Sequence, residues 1–353
     1  MTKLVDMNRR SFCKTLAAAV TLPIATSCAT SGFAAEIETS NFELIGVRDP
    51  QLGAQLAIAD HYGFFKEQGL DVSVRWTQSG ADTLTIMGGG AANIGVAGIF
   101  AQVVLSGQKL PVRTISSLAD MAETQGFVLS PGVKLSHPRE LEGKRIAHTQ
   151  GNSQIMLLAK LAQLYGFDHS KVELVNMNQS EGVVAASKGD VDGLLGFQPN
   201  LYRLVQMGGT LYVTGATLYV SGKAEPRPAD DLLLANHSVL LASQDWIDKK
   251  PNTLAAALRA LAAANKMLSD DRAKAMAALK AVLKIDENAL NVMVNANKYE
   301  LGITPVLEAS LKFQSEWARS IGRISAVPPT SDCFSTKVAQ LVDPALVTWK
   351  SPR

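Results

Sequence analysis

Cysteine and histidine are scarce in this chain, and their scarcity removes several kinds of site from consideration. Three cysteines and five histidines occur in 353 residues, and the histidines lack the spacing of metal ligands. No GxxxxGK(S/T) loop or GxGxxG fingerprint is present, and Ile155 stands where a hydrolase nucleophile elbow requires glycine. We therefore predict a protein that holds no metal or cofactor and is not an enzyme.

The chain also lacks an excess of either charge. Its formal net charge is +2, and lysine and arginine form neither a block nor a stripe, which argues against nucleic-acid binding. The residues are 47% hydrophobic and 19% charged, as in an ordinary globular protein. Because 353 residues exceed the size at which one hydrophobic core usually keeps growing, we expect two lobes.

The start of the chain has the pattern of an export signal. Charged residues precede a short apolar run, Leu16 to Ala25, and small residues follow as far as Ala35. The apolar run is too short to span a bilayer, and this order is typical of a signal that is removed after export. We therefore predict that residues 1–35 are an export signal and that the mature protein is periplasmic.

The export route and the cleavage point stay open at this stage. Arg9-Arg10 followed by Phe12 resembles a twin-arginine signal, but other positions depart from that pattern and leave the general secretory route as the alternative. Cleavage after Ala34 fits signal peptidase, whereas Cys28 is a candidate lipid anchor. After cleavage at Ala34, Cys333 is the one cysteine left, so no intramolecular disulfide can form.

From Asn41 onward, short β-type runs alternate with amphipathic helical runs, as they do in βαβ units. We predict a largely parallel sheet built from such units, with a further buried strand over residues 231–241. From Pro251 to about Gly322 the sequence is rich in alanine and follows helical spacing almost throughout. The predicted fold class is therefore α/β with a helical C-terminal segment.

Several predicted strands run directly into small polar residues that open a helix. A helix N-terminus offers unpaired N–H groups and a partial positive charge, so it attracts anions. These turns also lie at the carboxyl ends of strands, where open α/β sheets bind their ligands. Ser79 and Ser153 lie in two of the turns, and each is a candidate either for ligand contact or for helix capping alone. The turns are residues 78–81, 96–98 and 149–153.

Four segments resemble a family of periplasmic receptors for nitrate, sulfonates, taurine and thiamine precursors. Ala59–Val72 is similar to the family's opening A-x-x-x-G-F-F-K-x-E-G-L-D-V, and Gly90–Gly95 is similar to its G-E-A-D-I-G. Leu141–Ile146 is similar to the family's D-L-K-G-K-x-I, and Lys188–Gly193 to its G-x-V-D-A segment. Each motif is weak alone, but four in the family's order identify the chain as a member of these ABC-importer binding proteins.

The resemblance implies a two-lobed periplasmic-binding-protein fold of the Venus-flytrap type II, in which the chain crosses twice between the lobes. We place lobe one at about 38–120 plus 236–353 and lobe two at about 121–235, with crossings near residues 118–126 and 229–236. Closure about the crossings would trap a small-molecule ligand and present it to an ABC permease and its ATPase in the inner membrane. We expect the receptor to be a monomer.

The family resemblance and the strand-to-helix turns together indicate which loops face the ligand. The candidate ligand-binding residues are Arg48, Asp49, Gln51, Ser79, Gly80, Ala97, Gly98, Gln150, Asn152, Ser153, Phe197, Gln198, Asn236 and His237. Arg48 has two candidate roles, which are pairing with an anionic head group and a salt bridge with Asp49. Trp76 and Phe197 are candidates either for stacking on the ligand or for packing in the core.

The predicted ligand is a small organic anion, either a sulfonate or a carboxylate. The carboxylates include aromatic acids. Nitrate-like anions and pyrimidines are also compatible with these loops. Eukaryotic thiamine-pyrimidine synthases belong to the same fold family, so the alternative to a receptor is an enzyme of that kind. The cysteine-rich motif of those enzymes is missing here. A ligand-sensing partner of a membrane sensor is a further alternative.

Overall fold

The computed structural model describes residues 36–150, 153–228 and 231–350. The predicted export signal with Cys28, and the candidate site residue Asn152, lie outside these residues. Within the described ranges, none of the helices is both long and apolar enough to cross a membrane.

The described residues form thirteen strands. The strands are β1 (Asn41–Val47), β2 (Asp71–Thr77), β3 (Ile94–Gly98), β4 (Val112–Asp120), β5 (Gln125–Leu129), β6 (Arg145–His148), β7 (Glu173–Asn176), β8 (Gly193–Phe197), β9 (Thr210–Thr214), β10 (Thr217–Leu218), β11 (Glu225–Pro226), β12 (His237–Ser243) and β13 (Lys298–Gly302). They make two mixed sheets, with the strand orders β13-β4-β12-β3-β1-β2 and β11-β10-β9-β5-β8-β6-β7.

Thirteen α-helices accompany the strands within the described residues. The helices are α1 (Pro50–Tyr62), α2 (Phe64–Glu67), α3 (Gly80–Gly88), α4 (Ile99–Gly107), α5 (Ile155–Tyr165), α6 (Gln179–Lys188), α7 (Asn200–Gln206), α8 (Gln244–Lys249), α9 (Pro251–Asp270), α10 (Arg272–Leu283), α11 (Glu287–Asn295), α12 (Pro305–Ser320) and α13 (Lys337–Val342). The predicted α/β class with a mainly helical C-terminal third is therefore confirmed.

Helices pack on both faces of each sheet. Successive side chains of a strand point to opposite faces, so neighbouring residues of one strand contact different helices. In β1, Leu44 packs into a cluster with α1, α9 and α10, whereas Ile45 faces a cluster with α4 and α12. In β5, Phe127 faces α5 and Val128 faces α6 and α7. These four side chains are at most 2% exposed, and burial of each contributes about 1.5–3 kcal/mol.

The chain passes from the first sheet to the second after Asp120 and returns before His237. The parallel pairs are β1 with β2 and β3 in the first sheet, and β6 with β7 and β8 in the second. The carboxyl ends of the parallel strands in one sheet lie at the same edge, so the turns after them are brought together.

The prediction of a largely parallel sheet is wrong. β12 lies antiparallel between β3 and β4, and β5 lies antiparallel between β8 and β9. Each of these two strands comes directly from the opposite sheet and not from a βαβ connection. It therefore enters its own sheet at the edge where the parallel strands end, and it runs in the opposite direction.

The predicted strand over residues 231–241 is also wrong in its first half, because β12 begins at His237. Leu233 and Leu234 are fully buried. Their N–H groups donate to the carbonyl of Gly215, at 2.8 and 3.1 Å, and not to a neighbouring strand. The apolar run therefore reflects burial against the second sheet without strand pairing.

The prediction of an almost wholly helical segment from Pro251 to Gly322 missed β13. Lys298–Gly302 alternates exposed and half-buried residues, which is the period of a strand with one covered face. It pairs antiparallel with β4 at the edge of the first sheet. A strand of five residues between two helical patterns left little periodicity to read.

Candidate functional site

A cavity of about 550 Å³ opens where the parallel strands of the two sheets end. The first-sheet side contributes Asp49, Gln51, Leu52, Gln78, Ser79, Gly80, Ala81, Leu84, Gly98, Phe100 and Ala101. The second-sheet side contributes Gln125, Thr149, Gln150, Ser153, Gln154, Asn178, Gln179 and Phe197, and Met121, Asn236 and Arg323 complete the wall. The turns selected in the sequence as anion-binding candidates therefore surround one cavity.

Nine of the fourteen candidate ligand-binding residues line this cavity. They are Asp49, Gln51, Ser79, Gly80, Gly98, Gln150, Ser153, Phe197 and Asn236. Arg48, Ala97, Gln198 and His237 do not belong to its wall, and Asn152 lies outside the described residues.

Arg48 does not line the cavity, and it forms no salt bridge with Asp49 or with any other described residue. Its Nη1 donates to the carbonyl of Val282 at 2.9 Å, near the C-terminus of α10, and its guanidinium lies 5.6 Å from the centre of the Trp76 ring. A cation at the C-terminus of a helix is favoured by the helix dipole. Arg48 and Trp76 therefore belong to the packing of the first sheet against α10.

Three other candidates serve the fold. Ala97 is fully buried within β3. His237 is buried, with Nδ1 at 2.8 Å from the hydroxyl oxygen of Ser310, and burial lowers its pKa. Gln198 Oε1 accepts from the N–H of Tyr202 at 3.0 Å in the first turn of α7. The sequence analysis expected these residues at the cleft because they lie at strand ends or near a crossing between the sheets. A residue's place along the chain does not determine which way its side chain points.

Three helix N-termini at the cavity are capped by side chains of their own segment. Asp49 caps α1, Ser79 caps α3 and Asn178 caps α6. The Ser79 hydroxyl accepts from the N–H of Asp82 at 3.3 Å, so its capping role is present, and the residue also lines the cavity. At these three termini the protein itself supplies the hydrogen-bond acceptors that an anion would otherwise offer.

Asp49 brings a negative charge to the wall of the cavity. Its Oδ1 accepts from the N–H groups of Gln51 and Leu52, both at 2.8 Å, and Oδ2 has no partner among the described residues. Burial raises the pKa of the Asp49 carboxyl to about 6, although the two N–H groups favour its charged form. Arg323 is the one cationic residue in the described wall, and it is exposed.

Ser153 does not cap the helix that follows it. α5 begins at Ile155, and Gln154 stands at its N-cap position without a capping side-chain bond. The Ser153 hydroxyl lies 3.4 Å from Gln125 Oε1, and Gln154 Nε2 donates to the same oxygen at 2.8 Å. Ser153 is therefore part of a buried polar cluster in the wall, where Gln125 Nε2 has no partner among the described residues.

Carboxamides dominate the polar part of the wall. Eight of the lining residues are asparagine or glutamine, and each can both donate and accept hydrogen bonds. Gln78, Ala81 and Thr149 lie in turns that the sequence analysis selected, although they were not among the candidate ligand-binding residues. The sequence analysis missed the remaining lining residues, which are Leu52, Leu84, Phe100, Ala101, Met121, Gln125, Gln154, Asn178, Gln179 and Arg323. Asn178 and Gln179 follow β7 and open α6, so the turn pattern used for the other strands would have found them.

The chain matches known proteins in sequence and in structure. Residues 53–275 match the family model described as NMT1/THI5 like. The chain is 26% identical over 231 residues to 4-amino-5-hydroxymethyl-2-methylpyrimidine phosphate synthase from Uromyces fabae, covering 61% of this chain and 63% of that protein. It is 30% identical over 159 residues to the taurine-binding periplasmic protein of Escherichia coli, covering 45% of this chain and 48% of that protein.

The described fold has a close structural counterpart. The periplasmic aliphatic sulphonate binding protein from Escherichia coli superposes with a TM-score of 0.70 at 11% sequence identity, covering 84% of this chain and 92% of that chain. At that identity the likeness shows the fold alone. The predicted periplasmic-binding-protein fold is thereby confirmed.

Proposed function

The chain belongs to the NMT1/THI5-like family, and on that basis we propose that it is the extracytoplasmic solute-binding receptor of an ABC importer. It captures a small organic anion, a sulfonate or a carboxylate, and releases it unchanged to a permease that an ATPase drives in the inner membrane. Lobe one comprises residues 38–120 and 236–353, and lobe two comprises residues 121–235. The receptor acts as a monomer in the periplasm.

The observation that carries this proposal is the cavity between the two sheets. Its volume of about 550 Å³ falls in the range of small-molecule sites, which is roughly 300–1,000 Å³. Its wall combines backbone at helix N-termini and carboxamides with the apolar side chains of Leu84, Phe100, Met121 and Phe197. Such a wall suits a ligand with a polar head group and an apolar or aromatic body.

The 231-residue alignment with a pyrimidine phosphate synthase favours a second candidate function. In that candidate the ligand is a thiamine-pyrimidine precursor, which is either bound or made by this chain. Carboxamides recognise pyrimidine edges as readily as they recognise acids, because they donate and accept at once.

A thermal-shift screen of the mature chain separates the two candidates. The panel contains sulfonates, carboxylates, nitrate and aminopyrimidines, and each hit is titrated by calorimetry and recovered for mass spectrometry. An anion at about 100 times its Kd should stabilise the native state by about 2.7 kcal/mol and return chemically unchanged. Stabilisation by pyrimidines alone, or conversion of a hit, would contradict the anion receptor and support the second candidate.

A further inference from the structure

We propose that the acidic head group of the ligand binds at the N-terminus of α4, against the N–H groups of its first turn and the carboxamide of Asn236. This inference rests on the proposed function, because it locates the charge of the anion within the same cavity. The charged groups in the described wall are Asp49, which repels an anion, and Arg323, which is exposed. Most of the stabilisation of the anion must then come from backbone and amide donors.

α4 has an uncapped N-terminus at the cavity. Its N-cap residue is Gly98, which supplies no side-chain acceptor, and Phe100 and Ala101 in its first turn line the cavity. The first N–H groups of a helix have no partner within the helix. α1, α3 and α6 differ in this respect, because Asp49, Ser79 and Asn178 occupy their N-termini.

Neither backbone conformation nor space requires glycine at position 98. Its φ of −72° and ψ of 155° are extended values that any residue adopts. A Cβ at this position would meet Asn236 Oδ1 at 3.8 Å and Met121 Cε at 3.9 Å, which are ordinary contacts. Serine, aspartate or asparagine would thus fit and would cap the helix. The glycine leaves the N–H groups in the first turn of α4 without a capping side chain among the described residues.

Asn236 is a second and independent sign of a ligand at this point. Its side chain is 5% exposed, and it lines the cavity beside Gly98. Gln314 Nε2 donates to the carbonyl of Ala235 at 2.8 Å and to Asn236 Oδ1 at 3.0 Å, which fixes the orientation of both amides. Asn236 Nδ2 is left without a partner among the described residues. A buried amide donor next to an uncapped helix N-terminus is the arrangement that a carboxylate or sulfonate satisfies.

The turn before α5 is the competing location for the head group. None of the described side chains caps α5 either, and Ser153 lies in the turn before it. However, the Ser153 hydroxyl and the Gln154 amide already share Gln125 Oε1 as their acceptor. A test must therefore distinguish the two turns.

Calorimetric titration of three variants at position 98 makes this distinction, with the tightest-binding sulfonate or carboxylate of the screening panel as the probe. Gly98→Asp places a carboxylate on the α4 N–H groups and should weaken the probe more than a hundred-fold. Gly98→Ser supplies a neutral cap and should weaken it about ten- to a hundred-fold. Gly98→Ala adds bulk without a cap and should weaken the probe less than Gly98→Ser does. Ser153→Ala should weaken the probe less than Gly98→Ser does, because the Ser153 hydroxyl already has Gln125 Oε1 as its acceptor.

The thermal midpoint of each unliganded variant is measured alongside, and it should be unchanged or higher for Gly98→Asp and Gly98→Ser because a cap has been added. If Gly98→Asp binds the anion as wild type does, the inference is overturned while the receptor function stands. A loss confined to Ser153→Ala would also overturn it and move the head group to the turn before α5. If wild type binds no anion of the panel, the proposed function fails and this inference fails with it.

Discussion

Gln51 Nε2 donates a hydrogen bond of 2.9 Å to the backbone carbonyl of Gln198. Gln51 lies in the first turn of α1, which follows β1 of the first sheet, and Gln198 directly follows β8 of the second sheet. This bond therefore joins the two sides of the cavity directly. In a receptor that closes on its ligand, such a contact stabilises the closed form.

Replacing Gln51 by alanine should open the unliganded protein. Loss of one neutral hydrogen bond costs about 0.5–1.5 kcal/mol, which shifts the ratio of closed to open molecules by about two- to tenfold. Small-angle scattering of the ligand-free variant should give a larger radius of gyration than wild type. Gln150→Ala is the matched control, because Gln150 is another carboxamide of the wall that makes no such bond to a described residue across the cavity. Identical scattering curves for Gln51→Ala and wild type would contradict the role of this contact.

The sequence predicted the turns at the cavity well, because these depend on local chemistry. At helix ends the same holds: Gly63 and Gly166 end α1 and α5 in the left-handed conformation that glycine adopts readily, with φ of 75° and 67°. Ser79 was expected in a strand-to-helix turn and is found there. Such features need only the few residues around them.

Features that depend on tertiary packing escaped prediction. Arg48 is adjacent to Asp49 in sequence, yet its guanidinium reaches Val282, 234 residues away. Arg323 reaches the cavity wall from the segment after α12, and nothing in its neighbourhood marks it as a wall residue. The reversed direction of β5 and β12 followed from the crossings between sheets, which leave no periodic pattern in the sequence.

Arg323 should raise the association rate of anions and have little effect on their dissociation rate. It is exposed at the edge of the cavity, so its attraction acts at a distance and is screened by salt. Arg323→Gln should lower the association rate of a sulfonate about two- to fivefold at low ionic strength and leave its dissociation rate nearly unchanged. Stopped-flow measurements at low and high salt test this, since the difference from wild type should disappear in high salt.

Arg319→Gln is the matched control for that experiment. Arg319 is an exposed arginine near the end of α12 that does not line the cavity. It should leave the association rate close to that of wild type at every salt concentration. Equal effects of the two substitutions would show that overall charge, and not the position of Arg323, governs the rate.

The N-terminal segment should be absent from the mature protein. The paired Arg9-Arg10 before a short apolar run predicts export, and mass spectrometry of periplasmic protein should find a chain that begins near Ala35 or a lipidated Cys28. Replacing Arg9 and Arg10 by lysine should block export through the twin-arginine route. Unchanged export of that variant would indicate the general secretory route, and an intact Met1 in the cytoplasm would contradict export.

Asp49 should make anion binding depend on pH. Its pKa is raised by burial from 3.8 to about 6, so the carboxylate is charged at pH 7.5 and largely neutral at pH 5. A sulfonate stays ionised over this range, and arginine side chains such as Arg323 stay protonated. As the pH falls through 6, the repulsion between Asp49 and the ligand disappears, and affinity should rise about three- to tenfold. Calorimetric titration at pH 7.5, 6 and 5 measures this rise.

Asp49→Asn is the decisive variant, because asparagine caps a helix as well as aspartate does. It should bind the sulfonate at pH 7.5 as tightly as wild type does at pH 5, with no dependence on pH between them. The same substitution should stabilise the fold near pH 7.5, since an acid whose pKa is raised in the folded state destabilises that state above the folded pKa. This gain should shrink as the pH falls from about 6 to 4.

Asp286→Asn, at the N-cap of α11 and away from the cavity wall, is the control and should change neither the affinity nor its pH dependence. If the affinity of the wild type does not change between pH 7.5 and 5, the charge of Asp49 does not influence anion binding.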